Sequence, residues 1–208
     1  KLKNLKVVAI TGSVGKTTTK DIMASVLSRK YKTVKTQGNY NNDIGVPLTI
    51  FRIEEDTEVA VIEMGMNHFG EIDYLSSIAL PDIAVITNIG VSHIENLGSR
   101  DGILKAKCEV FNHMSEESFK VLNGDDDKLV TIARNYKNLC YCSLNEFAEV
   151  HADNISENGL EGISCTMYLN DNSVKIPVNI PVPGKHMVRN AMFAAAVVHT
   201  LLPGILQI

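Results

Sequence analysis

Apolar runs separated by amphipathic stretches dominate the pattern of this 208-residue chain. Six short runs are predicted as strands, at residues 7–10, 33–36, 57–65, 81–88, 119–123 and 138–143. Helices are predicted over residues 16–29, within 66–80, over 101–114 and in a stretch that ends near 136. Because buried strands alternate with helices, the pattern predicts an α/β fold with a doubly wound, mostly parallel sheet.

The pattern changes after residue 149. From 149 to 181 the chain alternates between polar and apolar residues, with Asn158-Gly159 and the stretch 170–172 as turn signals. This combination predicts an antiparallel hairpin at one edge of the sheet. An alanine-rich helix is predicted at 190–202, packed closely on the sheet. We expect residues 1–208 to form one domain, excised from a larger protein because it starts almost directly on a core strand.

The stretch 9–19, Ala-Ile-Thr-Gly-Ser-Val-Gly-Lys-Thr-Thr-Thr, joins the first predicted strand to the first predicted helix. Gly12 and Gly15 allow a tight turn whose N–H groups point inward, Lys16 supplies a charge for phosphates, and Thr17 offers a hydroxyl to Mg²⁺. The loop departs from the usual pattern because Ile10 stands at the first glycine position. Nucleotide binding is the favoured interpretation, and a chance Gly-Lys-Thr in an ordinary turn is the alternative.

Polar residues follow other predicted strands at the same edge. Glu63 ends the strand at 57–65, where a carboxylate that binds Mg²⁺ is expected in an open parallel sheet. His93 follows the strand at 81–88 and is a candidate metal or phosphate contact. Residues 38–49 carry Asn39, Asn41 and Asn42 and are predicted to form a loop. Its asparagines either face a ligand or serve only as turn residues.

Composition and charge narrow the choice of partners. The net charge of −4 argues against a nucleic-acid or anionic-membrane surface, so we expect no nucleic-acid partner. No apolar run approaches the ~20 residues that span a bilayer, and no signal peptide is evident, so we expect a cytoplasmic protein without membrane insertion. The cysteines form no C-x-x-C pair and are expected to be buried free thiols: Cys108, Cys140, Cys142 and Cys165.

Several motifs together resemble the Mur ligase family. They are the loop at 11–18, the asparagine-rich stretch 38–49, Glu63-Met-Gly65, residues 88–93, Gly98-Ser99 with Ala106-Lys107, and residues 183–186 followed by Asn190. The resemblance covers nearly the whole chain, and the asparagine-rich stretch points to the member that adds D-Ala-D-Ala to UDP-MurNAc-tripeptide. It implies a central ATP-binding domain that lacks the flanking UDP-sugar-binding and C-terminal domains. It also implies ATP and Mg²⁺ as cofactors in peptidoglycan precursor synthesis.

The resemblance implies roles for individual residues. The nucleotide would contact Gly12, Ser13, Val14, Gly15, Lys16, Thr17, Thr18 and, at its adenine, Asn190. Thr17 and Glu63 would bind one Mg²⁺ and His93 a second. Lys107 matches a position that is carbamylated in family members, which requires a neutral amine and turns it into an anionic metal ligand. Lys16, Lys107 and His93 would thus be the catalytic residues, and Asn39, Asn41 and Asn42 would belong to a substrate loop.

Other functions remain open at this stage. Another superfamily ligase, such as a folylpolyglutamate synthase or a different muramyl ligase, would share the loop and differ in the flanking domains. A regulatory P-loop NTPase would have no need of Glu63, His93 and Lys107 together. A scaffold without measurable ligand binding is the third alternative.

Overall fold

The computed structural model describes residues 2, 4–169 and 172–201 of the chain. Within these residues nine strands form one sheet, in the order β2-β3-β1-β4-β5-β6-β7-β8-β9. The strands are β1 Lys6–Thr11, β2 Thr33–Lys35, β3 Val59–Glu63, β4 Ile83–Ile86, β5 Phe119–Asn123, β6 Leu139–Ser143, β7 Val150–Glu157, β8 Ile163–Leu169 and β9 Val174–Ile180. Neighbours are parallel from β2 to β7, and β8 and β9 are antiparallel.

Helices cover both faces of the sheet. They are α1 Lys16–Leu27, α2 Gly45–Ile50, α3 Glu71–Ala79, α4 Ile94–Leu97, α5 Arg100–Cys108 and α6 His186–Leu201. Successive residues of β1 point to opposite faces, so Val8 and Ile10 pack with α1 and α6, while Val7 and Ala9 pack with α3 and α5. The prediction of a doubly wound, mostly parallel sheet with antiparallel strands at one edge is therefore confirmed.

The central position of β1 brings three strand ends together. It pairs with β3 on one side, where Ile10 lies opposite Glu63, and with β4 on the other, where Thr11 lies opposite Ile86. The connection from β1 to β2 runs through α1 on one face of the sheet, and the connection from β3 to β4 runs through α3 on the other face. This divergence creates a crevice at the carboxyl ends of the strands. The loop after β1, the end of β3 and the segment after β4 all meet there.

The structure corrects the prediction that residues 38–49 are entirely loop. The second half forms α2, because the Asn42 side-chain oxygen accepts a hydrogen bond from Gly45 N at 2.9 Å and begins the helix. Pro47 lies in the first turn, where its missing N–H costs nothing. A Cβ at Gly45 would lie 2.3 Å from the Tyr40 main chain, so the loop approaches the helix too closely for any other residue.

Other element boundaries also differ from those predicted. The helix predicted over 101–114 ends as α5 at Cys108 and continues as the 3-10 turn Glu109–Phe111, and the helix predicted before 136 is the 3-10 helix Leu129–Asn135. The Asp126 carboxylate accepts hydrogen bonds from the backbone N–H groups of Lys128 and Leu129 at the start of that 3-10 helix. Helix α6 begins at His186 rather than 190. The predicted turn at 170–171 and residues 202–208 lie outside the described residues.

The edge region and the cysteines agree in part with the predictions. Three strands, β7 to β9, form the antiparallel pairings, which is one strand more than the predicted hairpin. All four cysteines are free thiols, as expected, but only Cys142 and Cys165 are buried, and Cys108 and Cys140 are half-buried. Burial raises the pKa of the Cys108 thiol to about 12, so this side chain stays protonated at neutral pH. No helix in the described part of the chain is long and apolar enough to cross a membrane.

Candidate nucleotide and metal site

The loop between β1 and α1 makes a tight turn that only glycine permits at two positions. Gly12 has a φ of 147° and Gly15 a φ of 83°. A Cβ on Gly12 would lie 1.9 Å from Thr87 Oγ1. The loop therefore rests directly on the end of β4, with no room for a side chain between them.

The residues after β4 hold the loop in place. Asn88 Oδ1 accepts hydrogen bonds from Ser13 N at 3.0 Å and from Val14 N at 2.9 Å. Thr87 Oγ1 donates to Val14 O at 2.6 Å, and Ser13 Oγ accepts from the Gly90 N–H at 2.9 Å. These contacts fix the loop before any ligand is present. Sequence reasoning missed Asn88 as an individual residue, although the motif 88–93 begins with it.

Helix α1 begins at Lys16 without a side-chain cap, so the N–H groups of Lys16, Thr17 and Thr18 in its first turn face the crevice uncapped. Uncapped N–H groups and the positive end of the helix dipole favour an anion such as phosphate. Lys16 Nζ lies beside them and donates to Gly12 O at 2.9 Å. Burial lowers the pKa of Lys16, and the nearby Glu63 carboxylate opposes this effect.

Glu63, at the end of β3, is the buried carboxylate of the crevice and is 1% exposed. Its Oε1 accepts from Thr17 Oγ1 at 3.2 Å and from Asn41 Nδ2 at 2.8 Å. Its Oε2 is buried and has no hydrogen-bond partner among the described residues. A buried carboxylate oxygen that accepts no hydrogen bond favours a nearby cation, and oxygen atoms are the ligands that Mg²⁺ prefers. The Thr17 hydroxyl and the Glu63 carboxylate therefore fit Mg²⁺.

Lys20 is a second charged residue in the crevice that sequence reasoning missed. It lies on α1, is 1% exposed, and its Nζ is 3.7 Å from Glu63 Oε2. The ammonium also donates to Gly38 O at 2.8 Å. The available sequence signal was its spacing of four residues after Lys16, which places both lysines on one face of the helix.

Lys107 lies on α5 and is 3% exposed. Burial and, to a smaller extent, repulsion from the nearby Lys16 ammonium together lower the pKa of Lys107 to about 7. A large part of Lys107 is thus the neutral amine at neutral pH. The structure brings Lys107 into the electrostatic range of Lys16, which in turn lies near Glu63.

The other predicted site residues have different surroundings. His93 precedes α4 with a φ of 64° and is half-buried, and among the described residues its side chain makes no hydrogen bond or ion pair with Glu63 or Lys107. Asn39 is exposed, and the Asn42 side chain accepts a hydrogen bond from Gly45 N at the start of α2 instead of facing the crevice. Asn41 alone of the three asparagines contacts Glu63. No group of three or more His, Cys, Asp or Glu side chains in the described ranges could bind a metal by itself.

Asn190 lies on the first turns of α6, beside the loop. It is buried, and its Oδ1 is 3.0 Å from the position that a Cβ on Gly15 would occupy. Together with Val14, Thr87 and Phe193 it lines a cavity of about 170 Å³. Asn190 thus lies next to the loop between β1 and α1. Helix α6 packs on α1 and over β5 to β8, which lie on the opposite side of β1 from β3 in the sheet.

A loop of this kind between the first strand and first helix of a parallel sheet defines the class of P-loop α/β proteins. This chain belongs to the Mur ligase family, since the model of the Mur ligase middle domain matches residues 10–198. One relative is the UDP-N-acetylmuramoyl-tripeptide--D-alanyl-D-alanine ligase of Bacillus subtilis. It is 43% identical over 202 residues, which are 92% of this chain and 40% of that protein.

Solved structures agree with this relationship. The crystal structure of MurF from Acinetobacter baumannii has a TM-score of 0.87 and 36% identity, over 96% of this chain and 44% of that one. The MurF ligase from Thermotoga maritima, in complex with ADP, has a TM-score of 0.84 and 31% identity, over 94% of this chain and 45% of that one. The chain spans about two fifths of the length of the curated relatives it matches.

Proposed function

We propose that this chain is the central ATP-binding domain of a ligase that adds D-Ala-D-Ala to UDP-MurNAc-tripeptide in peptidoglycan precursor synthesis. The single observation that carries the proposal is the hydrogen-bonded cluster of Thr17, Asn41 and Glu63 beside the P-loop. It connects the loop to the asparagine-rich segment that distinguishes this ligase in the sequence. The similarity to the Bacillus subtilis ligase and to the MurF structures supports the same substrates.

ATP is proposed to bind with its phosphates at the first turn of α1. The uncapped N–H groups there, together with Lys16, match the negative charge of the β- and γ-phosphates. Asn190 would contact the adenine from the neighbouring cavity. The ADP bound to the Thermotoga maritima MurF ligase supports this use of the nucleotide.

Mg²⁺ would be held by Thr17 and Glu63 and would supply charge neutralisation at the transferring phosphoryl group. Asn41 orients Glu63 through its 2.8 Å hydrogen bond, which leaves Oε2 available. His93 is proposed as a contact for a second metal. Its position between β4 and α4, at the carboxyl edge of the parallel strands, supports this role.

The reaction follows from the chemistry of the two substrates. A carboxylate oxygen of the tripeptide attacks the γ-phosphorus of ATP, and the bond between this phosphorus and the bridging oxygen breaks. ADP is released, and the tripeptide becomes an acyl phosphate. The amine of D-Ala-D-Ala then attacks the acyl carbon, loses a proton, and displaces phosphate to form the amide C–N bond. Lys16 would neutralise the phosphoryl oxygens, and the protein contributes mainly positioning and electrostatics.

Lys107 is proposed as a carbamylation site. Addition of CO₂ to its neutral amine forms a carbamate and releases a proton, and the lowered pKa of Lys107 supports this step at neutral pH. The carbamate would add an anionic oxygen ligand near Lys16. NMR of the protein with isotope-labelled bicarbonate tests the step. A carbamate signal that is lost in Lys107→Met supports it, and no signal in the wild type contradicts it.

The domain organisation is also part of the proposal. The chain carries the phosphate and metal half of the site, and the flanking domains would supply the UDP-sugar and amino-acid contacts. We expect the 208-residue chain to bind Mg²⁺-ATP weakly and to form no amide bond from UDP-MurNAc-tripeptide and D-Ala-D-Ala. The full-length protein should release phosphate only when both substrates are present. Substantial product from the 208 residues alone would contradict this division of the site.

A further inference from the structure

The buried ammonium of Lys20 lies near two carboxylates, Asp21 and Glu63, but only Glu63 relies on Lys20 to compensate its charge. Asp21 Oδ1 lies 3.6 Å from Lys20 Nζ, yet Asp21 is half-exposed and is already paired with Lys35 Nζ at 2.6 Å. Glu63 is fully buried, and its Oε2 has no hydrogen-bond donor. Lys20 Nζ, at 3.7 Å, is the cation paired with that oxygen. Its positive charge therefore compensates mainly Glu63.

Lys20 also reaches the asparagine-rich segment. Its Nζ donates to Gly38 O, while Asn41 from the same segment donates to Glu63 Oε1. Helix α1, residues 38–41 and the end of β3 are thus joined in one closed set of polar contacts. We therefore expect a change in the charge of Glu63 to alter its interaction with Lys20 and, through the hydrogen bond from Lys20 to Gly38, the position of residues 38–41.

We propose that Lys20 is a positioning residue that neutralises and orients the Glu63 carboxylate before Mg²⁺ binds and that links the segment 38–41 to the metal site. The inference rests on the proposed Mg²⁺ site at Glu63. Lys20 stabilises the metal-free crevice, because a buried carboxylate without a partner is strongly destabilising. The same charge opposes the incoming cation, so Lys20 also limits the affinity of the site for Mg²⁺.

The test is a set of thermal melts of the purified protein with and without Mg²⁺, for Lys20→Met, Glu63→Gln and the double variant. In metal-free buffer, Lys20→Met should lower the melting temperature by on the order of 10 °C in the wild-type background. The same change should have little further effect once Glu63 is Gln, because the charge it compensates is gone. Equal losses in both backgrounds would overturn the proposal.

Mg²⁺ gives a readout that simple structural damage would not change. Mg²⁺ alone should raise the melting temperature of Lys20→Met more than that of the wild type, with an affinity at least about tenfold tighter. Lys120→Met is the matched control. Lys120 is also buried, but it donates to the main-chain carbonyls of Ser118 and Lys137, so its Mg²⁺ response should equal that of the wild type.

Each remaining outcome also decides the question. If Lys20→Met fails to fold but the double variant folds, the charge pairing is supported. If neither folds, Lys20 acts through packing or through Gly38 alone, and the proposal is overturned. An unchanged Mg²⁺ response in Lys20→Met also overturns it. No Mg²⁺ response in any variant, including the wild type with ATP, would instead show that the proposed metal site is wrong, while the metal-free comparison still decides the Lys20–Glu63 pairing.

Discussion

Replacement of Lys107 by methionine should stabilise the protein at neutral pH. Lys107 is 3% exposed, and its ammonium makes no hydrogen bond with the described residues. The side chain of methionine has a similar length and no charge, so the substitution removes the cost of burying the ammonium and opens little space.

The size of the effect follows from the pKa of Lys107, which falls from 10.5 to about 7 on folding. This difference corresponds to at most roughly 5 kcal/mol. Between pH 7 and pH 10.5 the unfolded chain binds the proton and the folded chain does not, so the stability of the wild type rises with pH over this range. Below pH 7 both states are protonated and the full cost is present. Lys107→Met should therefore be more stable than the wild type at or below pH 7, and the difference should vanish towards pH 10.5.

The assay is denaturant unfolding of both proteins across this pH range, in buffers depleted of CO₂ so that no carbamate forms. Lys105→Met, an exposed lysine on the same helix, is the control and should show no pH-dependent difference from the wild type. A pH-independent difference for Lys107→Met, or a lower stability at pH 7, would refute the reasoning, because the buried charge would then not be the source of the effect.

Three further substitutions test the loop. Gly12→Ala should destabilise the protein by about 2–5 kcal/mol in denaturant unfolding, since its Cβ would overlap Thr87 Oγ1. Gly70→Ala is the control and should cost clearly less, because a Cβ there meets no atom within 4 Å. Equal losses of stability in the two variants would count against the steric argument. Asn88→Ala should weaken the binding of a fluorescent ATP analogue about tenfold, because Val14 N–H loses its acceptor and Ser13 N–H keeps only the main-chain carbonyl of residue 88. An unchanged affinity would contradict this role. Lys16→Ala should abolish phosphate contacts while the thermal melt stays unchanged, so equal analogue affinity in both proteins would argue against the loop assignment.

The parallel core was predictable because its strands are continuous apolar runs. The bounds of β5 match the predicted run at 119–123, and β3 and β4 lie inside the runs predicted for them. Such runs are typical of strands that are covered on both faces, and their order along the chain leaves few topologies. Helix ends were less predictable. The start of α2 depends on a side-chain hydrogen bond from Asn42, and turn-forming residues such as Asn, Gly and Pro favour loops and helix starts alike.

Some residues of the candidate site could likewise be predicted from the sequence, and others could not. Lys16, Thr17 and Glu63 could be predicted because each follows or ends a strand at the edge where ligands bind in parallel sheets. Lys20 had only a weak signal, its spacing of four residues after Lys16, because its burial depends on a pairing with Glu63, which lies 43 positions further along the sequence. The separate roles of Asn41 and Asn42 were also beyond the sequence. They depend on the backbone path through residues 38–45, which turns one side chain towards Glu63 and the other towards α2.

The central claim is that Glu63 holds the Mg²⁺ that accompanies ATP at the loop. Calorimetric titration of ATP into the wild type and Glu63→Gln, each with and without Mg²⁺, tests it most directly. Glu58→Gln, at the exposed residue that immediately precedes the same strand, is the control. We predict that Mg²⁺ strengthens ATP binding at least about tenfold in the wild type and in Glu58→Gln, and leaves binding to Glu63→Gln nearly unchanged. An equal gain from Mg²⁺ in all three proteins would contradict the assignment of Glu63.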